Sequence, residues 1–237
     1  MKLYVYCLAE DIDALTAPVS GISGAKVSLL KLEGLSLLVS EFDGDSTPVT
    51  RDNVLAHDAV VRSMLDQTTP LPFRFGTLVT EQKLASYISS HRQGLETKLT
   101  QVRGCLEMSV KIIWDTDQVD AGSESQESGP GAAFLQQKRR EILGGERRAA
   151  RAKEVSVWLS DQVGMVVREE QTVLSPTQKL IVAAAHLVER ECMRAYRERL
   201  AEARKNRPDL HFLVSGPWPP YSFSNIDLEF KTLFGVS

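Results

Sequence analysis

The sequence predicts an α+β protein of two domains, each an antiparallel sheet with helices packed on it, followed by a stiff aromatic arm. Three observations carry this: apolar runs of strand length alternate with segments of helical period, the order of those elements recurs in the two halves, and three prolines sit among aromatics near residue 218. At 237 residues the chain is long enough for two cores of ordinary size. Its 43% apolar and 25% charged residues are those of a globular protein.

Leu3–Ala9 is a short apolar run with Tyr4 and Tyr6 on one face, a strand. Glu10–Ala17 is expected to hold a short helix ending near Pro18. Lys26–Leu32 and Leu35–Phe42 meet at Glu33-Gly34, the signature of a hairpin. Arg51–Asp66 places Val54, Leu55, Val61 and Leu65 at helical spacing, and Leu71–Thr80 is again strand-like. Strand, helix, strand, strand, helix, strand is the split βαβ, or ferredoxin-like, order. A further helix over Glu81–Arg103 completes a first domain at residues 1–104.

The second domain, residues 105–237, opens with an alternating strand at Glu107–Trp114 and a mobile polar loop at Asp115–Gly131. Phe134–Gln171 reads as mostly helical, with a bend expected at Gly144-Gly145. Thr172–Leu174 and Lys179–Leu187 flank Ser175-Pro176 as a second hairpin, Glu189–Asn206 is a charged helix, and His211–Ser215 is the last strand. In the arm that follows, Pro217, Pro219 and Pro220 fix the backbone, so Trp218, Tyr221 and Phe223 project with little entropy left to lose. The arm is expected in an extended path, folded back on the second domain to complete its core, with part of its aromatic edge left for a partner.

Composition excludes several classes. A net charge of −3 gives no general attraction to nucleic acid or anionic membrane. Cys7, Cys105 and Cys192 are scattered and without CxxC spacing, which argues for a reducing compartment and against a zinc site. The run Leu3–Ala9 is too short and wrongly flanked for a signal peptide, and no apolar run reaches membrane-spanning length, so a cytoplasmic location is expected. Phosphate-binding, zinc-protease and serine-hydrolase motifs are missing, so no catalytic centre and no cofactor are expected. The basic residues Lys138, Arg139, Arg140, Arg147, Arg148, Arg151 and Lys153 read as a solvated helix face.

Two residues outside the arm stand out. Arg74 lies between Phe73 and Phe75, and strand alternation would put it on the opposite face, either as a cationic contact on an open sheet or as the one solvated or salt-bridged arginine of a core strand. His57 beside Asp58 is expected to be a packed or capping residue, since adjacent helix positions do not face one another. An enzyme or small-ligand reading would need Arg74 and His57 to converge in one pocket. An RNA-binding reading would use Tyr4, Tyr6, Phe73 and Phe75 as stacking aromatics, but Phe73-Arg74-Phe75-Gly76-Thr77 lacks the order of that motif.

Leu3-Tyr4-Val5-Tyr6, His57, Pro70-Leu71-Pro72-Phe73-Arg74-Phe75-Gly76-Thr77, Glu107, Ala184-Ala185-His186-Leu187-Val188 and Gly216-Pro217-Trp218-Pro219-Pro220-Tyr221-Ser222-Phe223 together resemble the gas vesicle protein F/L family. The resemblance covers almost the whole chain, and the last motif is its specific part. It implies two α/β domains of ferredoxin-like character and an accessory, chaperone-like role in gas vesicle assembly, without enzymatic activity. The implied partner is the small hydrophobic shell protein, gas vesicle protein A. Arg74, Phe75, Trp218, Tyr221 and Phe223 are the expected partner-binding residues.

Overall fold

The computed structural model describes residues 1–114, 130–174 and 180–226. The chain divides into two compact units, Met1–Glu107 together with the chain from Pro217 onward, and Met108–Gly216. The expected loop at Asp115–Gly131, as far as residue 129, lies outside the described residues, as do the turn at Ser175-Pro176 and the side chains of Lys138, Arg139 and Arg140.

In the first unit β1 (Lys2–Glu10) is central, and Tyr4 to Ala9 are buried on both faces. β2 (Val27–Leu32) and β3 (Leu35–Phe42) form the hairpin, turning at Glu33 and Gly34 with φ of 52° and 77°. Positive φ at both central positions matches the right-handed twist of the strands. β3 pairs antiparallel with β1, whose other edge meets β4 (Leu71–Pro72) and β5 (Leu78–Val79), giving the order β2-β3-β1-β4. α1 (Arg51–Ser63) is capped by the Thr50 hydroxyl accepting from Asn53 N–H, and α2 (Glu81–Val102) by Thr80 accepting from Lys83 N–H. Together they bury Val60, Val61, Leu84, Ile88, Leu95 and Leu99.

Two expected elements differ. No helix forms over Glu10–Ala17; a 3-10 turn at Ile22–Gly24 is the one helical piece between β1 and β2. The sheet and its hairpin claim this segment: Ile12 N–H donates to Ser36 Oγ at 3.1 Å, and Lys31 on β2 holds Asp11 at 3.0 Å. Leu71–Thr80 is not one strand but two short ones separated by a turn. Pro72 has no donor to extend the ladder, and Thr77 closes the turn by donating from its amide and hydroxyl to the Arg74 carbonyl, with Gly76 at φ 85°.

The second unit carries most of β6 (Cys105–Trp114), then α3 (Pro130–Val163), β7 (Glu169–Leu174), β8 (Leu180–Glu189), α4 (Met193–Asn206) and all but the end of β9 (Leu210–Trp218). Its sheet has the order β7-β8-β6-β9, the neighbour pattern of the first unit. α3 runs through Gly144 and Gly145 without interruption but stops at Val163, earlier than the periodicity suggests. Beyond a 3-10 turn at Gly164–Val166, Arg168 N–H already bonds the Leu187 carbonyl at 2.8 Å, so strand pairing displaces the last helical turns.

Among the described residues each unit contains one buried imidazole–phenol bond between a helix and the sheet. His57 Nδ1 on α1 meets the Tyr4 hydroxyl on β1 at 2.9 Å, and His186 Nδ1 on β8 meets the Tyr196 hydroxyl on α4 at 2.7 Å. Burial lowers both imidazoles, His57 to about 4, so each is neutral at physiological pH. Beside the first pair, Tyr6 uses its hydroxyl to accept from Ile22 N–H and to bond Ser40 Oγ, both at 2.9 Å. Gly21 makes room for it, since a Cβ there would fall 2.0 Å from the Tyr6 oxygen.

Candidate functional site

Gly216 takes φ 123°, a conformation open to glycine alone, and β9 then continues through Pro217 and Trp218. The strand was expected to stop at Ser215. Pro217 is tolerated because β9 is an outer strand of its sheet among the described residues, the place to which prolines within sheets are confined. Nor is the arm extended throughout: Tyr221–Ser224 forms one helical turn, α5. Pro220 sits at its N-cap, where a backbone donor would be unused anyway, and its carbonyl accepts from Phe223 N–H at 3.1 Å.

The arm is anchored inside the first unit. Glu107, only 6% exposed, accepts from Ser222 N–H at 2.7 Å and from Ser222 Oγ at 2.8 Å, one bond to each carboxylate oxygen. Burial raises the Glu107 carboxyl above its ordinary range, while the two Ser222 bonds pull it back down. On α1, Asp58 accepts from the Tyr221 hydroxyl at 3.1 Å and from Arg62 Nε at 2.5 Å, and the Arg62 guanidinium lies 4.0 Å over the Trp218 ring. These four side chains form one charged and aromatic chain, with Asp58 and Arg62 one helical turn apart. Lys98 on α2 donates to the carbonyls of Ser224 and Asn225, placing a cation where the last turn exposes its acceptors. Phe223 is 4% exposed, and Tyr221 packs against the cluster formed by Tyr4, Tyr6 and Val61.

The expectation that the arm completes the second domain is therefore corrected: the chain from Pro217 belongs to the first unit. Asp58, Arg62, Lys98 and Glu107, the groups that answer the arm's polar atoms, all lie before residue 108. Phe223 and Tyr221 are held by their own fold, and Trp218 is half-buried. None of the anchors was singled out as a partner for the arm. Glu107 shares the parity of Ser109 and Lys111 on the polar side of the β6 pattern, which would place it in solvent, and only its position in the family resemblance marked it.

Phe75 lies half-buried on the turn after β4, its ring 6.3 Å from Tyr4 and 5.9 Å from His57, edge-on to both. Arg74 is exposed on the same turn, not on a sheet face. His57 is sealed in the core and uncharged, so it and Arg74 do not form the joint pocket that an enzyme would require. Among the described residues no group of three or more His, Cys, Asp or Glu is placed to hold a metal ion, and no helix is long and apolar enough to cross a membrane.

Two outcomes follow from the anchoring. Phe223→Ala should cost about 3–5 kcal/mol in urea unfolding, as a buried ring does, whereas Trp218→Ala should cost roughly 1–2, from partial burial and one cation–π contact. The reverse ranking would contradict the placement of the two rings. Because the folded state holds the Glu107 carboxyl above its ordinary 4.5, the stability this group contributes is complete below that value and is lost as pH rises through the raised one. Glu107→Gln keeps an acceptor for Ser222 N–H and removes the titration. Measured from about pH 4 to about pH 7, the difference in stability should move in favour of Gln as pH rises; a pH-independent difference would contradict it.

A family model described as gas vesicle synthesis protein GvpL/GvpF matches residues 2–225, a span that includes the whole described arm up to Asn225. Gas vesicle protein L2 of Halobacterium salinarum is 26% identical, over 93% of this chain and 90% of its own length. Gas vesicle protein F1 of the same organism is 25% identical, over 96% and 94%. The crystal structure of GvpF from Anabaena sp. superposes with a TM-score of 0.79 at 21% identity, over 95% of this chain and 97% of that one. GvpF from Microcystis aeruginosa gives 0.71 at 20% identity, over 95% and 99%. The chain belongs to the gas vesicle synthesis protein GvpL/GvpF family and has the mixed helix and antiparallel-sheet fold of the GvpF structures.

Proposed function

We propose that the protein works in gas vesicle formation as a stoichiometric binding partner of the small hydrophobic shell protein, gas vesicle protein A, shielding it from aggregation in the cytoplasm until it enters the growing vesicle. Family membership supports the gas vesicle role. The observation that carries the binding role is the pair of open sheet edges in the second unit. β7 and β9 are the two outer strands, and they expose Val173, Leu174, Leu213 and Val214, with Val173 at 61% and Leu213 at 57%. Natural sheets usually blunt such edges with charge, so apolar side chains kept there suit an apolar client or an added strand.

The repeated neighbour order supports two split βαβ units as the platform, the first with only a 3-10 turn in place of its first crossover helix. Of the residues expected to meet the partner, Arg74 is exposed on its turn, and Phe75 and Trp218 are half-buried. Tyr221 and Phe223 contribute by fixing the arm, not by touching the client.

The test is light scattering of purified shell protein diluted out of denaturant. The wild-type protein should suppress aggregation at about one-to-one stoichiometry without nucleotide. Val173→Lys combined with Leu213→Lys should lose that protection while folding stability changes by only about 0.5 kcal/mol per site, as at other exposed positions. Full protection by the double variant would refute the edge-binding role.

A further inference from the structure

A groove of about 250 Å³ lies within the second unit between α4 and the end of β9. Met108, Leu200 and Val214 give it an apolar floor, and Arg197 and Arg204 flank it. The charge pattern of α4 is selective. Arg194 pairs with Glu198 and Lys205 with Glu202 along one stripe of the helix. Arg197 and Arg204, on the stripe beside the groove, are exposed and have no carboxylate partner among the described residues. Two uncompensated cations bracketing an apolar floor call for an anionic and apolar occupant.

The spacing specifies that occupant further. Residues 197 and 204 are seven apart, two helical turns, so their Cα atoms lie roughly 10 Å apart on one face with Leu200 between them. In an extended chain, side chains on one face recur every second residue, and positions four apart are separated by about 13 Å, within reach of two long arginines. The residue midway between them would then face the apolar floor. The strand to receive such a chain is already present, since among the described residues β9 has a neighbour on one side only. Gly216 leaves space at its end, and Pro217, lacking a donor, terminates any added ladder there.

We propose that the α4/β9 groove takes an extended segment of a partner protein with the pattern acidic, any, apolar, any, acidic, which adds to the free edge of β9 and seats its two carboxylates on Arg197 and Arg204. This rests on the reading that the protein works by binding, and it assigns that binding one surface and one chemistry.

The probe is a blocked, fluorescein-labelled peptide, Thr-Glu-Thr-Val-Thr-Glu-Thr, titrated with the full chain and read by anisotropy beside the same peptide with lysine in place of glutamate. Wild type should bind the glutamate peptide at least about tenfold more tightly than the lysine peptide, and added salt should weaken it. Arg197→Glu with Arg204→Glu should invert the preference, a gain that damage to folding cannot produce. No binding of either peptide, or a preference unmoved by the reversal, overturns the proposal. Shell-protein scattering run in parallel separates the two claims: protection by wild type with failed peptide binding overturns the groove alone, whereas peptide binding without protection overturns the shell-protein role and leaves the groove standing.

Discussion

The carboxylate of Glu107 is the constraint on which the arm and the first unit both depend. Taking a carboxylate out of water is costly, and here it is offset by two bonds to one residue, Ser222, that lies 115 positions away in the chain. Until Ser222 arrives the first unit holds an unsatisfied anion, and until Glu107 is in place the arm lacks its strongest tether. Asp58 repeats the arrangement on a smaller scale, joining Tyr221 to α1 while orienting Arg62 over Trp218. A proline-rich segment suits this role because its backbone loses little entropy on docking and its missing donors need no partners.

Elsewhere the two units tie helix to sheet by the same kind of bond. In both, a neutral imidazole and a phenol join a helix to the sheet inside the core, from opposite ends: the histidine lies on the helix in the first unit and on the strand in the second. Buried polar bonds of this kind specify how a helix sits on its sheet more than they stabilise it. Such ties would suit the proposed binding role, since they let open edges be presented without refolding. The charged groups used inside the first unit, Glu107, Asp58, Arg62 and Lys98, contrast with Arg197 and Arg204 on the second unit, which have no carboxylate partner among the described residues.

Elements set by local chemistry could be read directly from the residues. The hairpin at Glu33-Gly34, the alternation of β6 and the charged helix before β9 all follow from turn chemistry and periodicity. What was hidden depended on partners distant in sequence. Glu10–Ala17 has helical composition but is claimed by Ser36 and Lys31. Phe73, Arg74 and Phe75 look like alternating strand residues, yet the proline before them and the glycine after them bend the chain into a turn. The arm's stiffness was legible from its prolines, whereas its destination was not, because nothing in Gly216–Phe223 encodes the location of Glu107, Asp58 and Lys98. The family, by contrast, was legible in those same residues, since so dense a run of prolines and aromatics rarely occurs by chance.

The central claim is that the arm is a fixed part of the first unit, and hydrogen exchange at the Ser222 amide tests it most directly. That amide lies on a half-buried residue of a four-residue helical turn and has one acceptor, Glu107. Its exchange, read by NMR at neutral pH, should be slowed to the level of the β1 amides and should open only with the unit as a whole. Exchange close to that of an unprotected amide, with β1 still protected, would show the arm to be free and the account wrong.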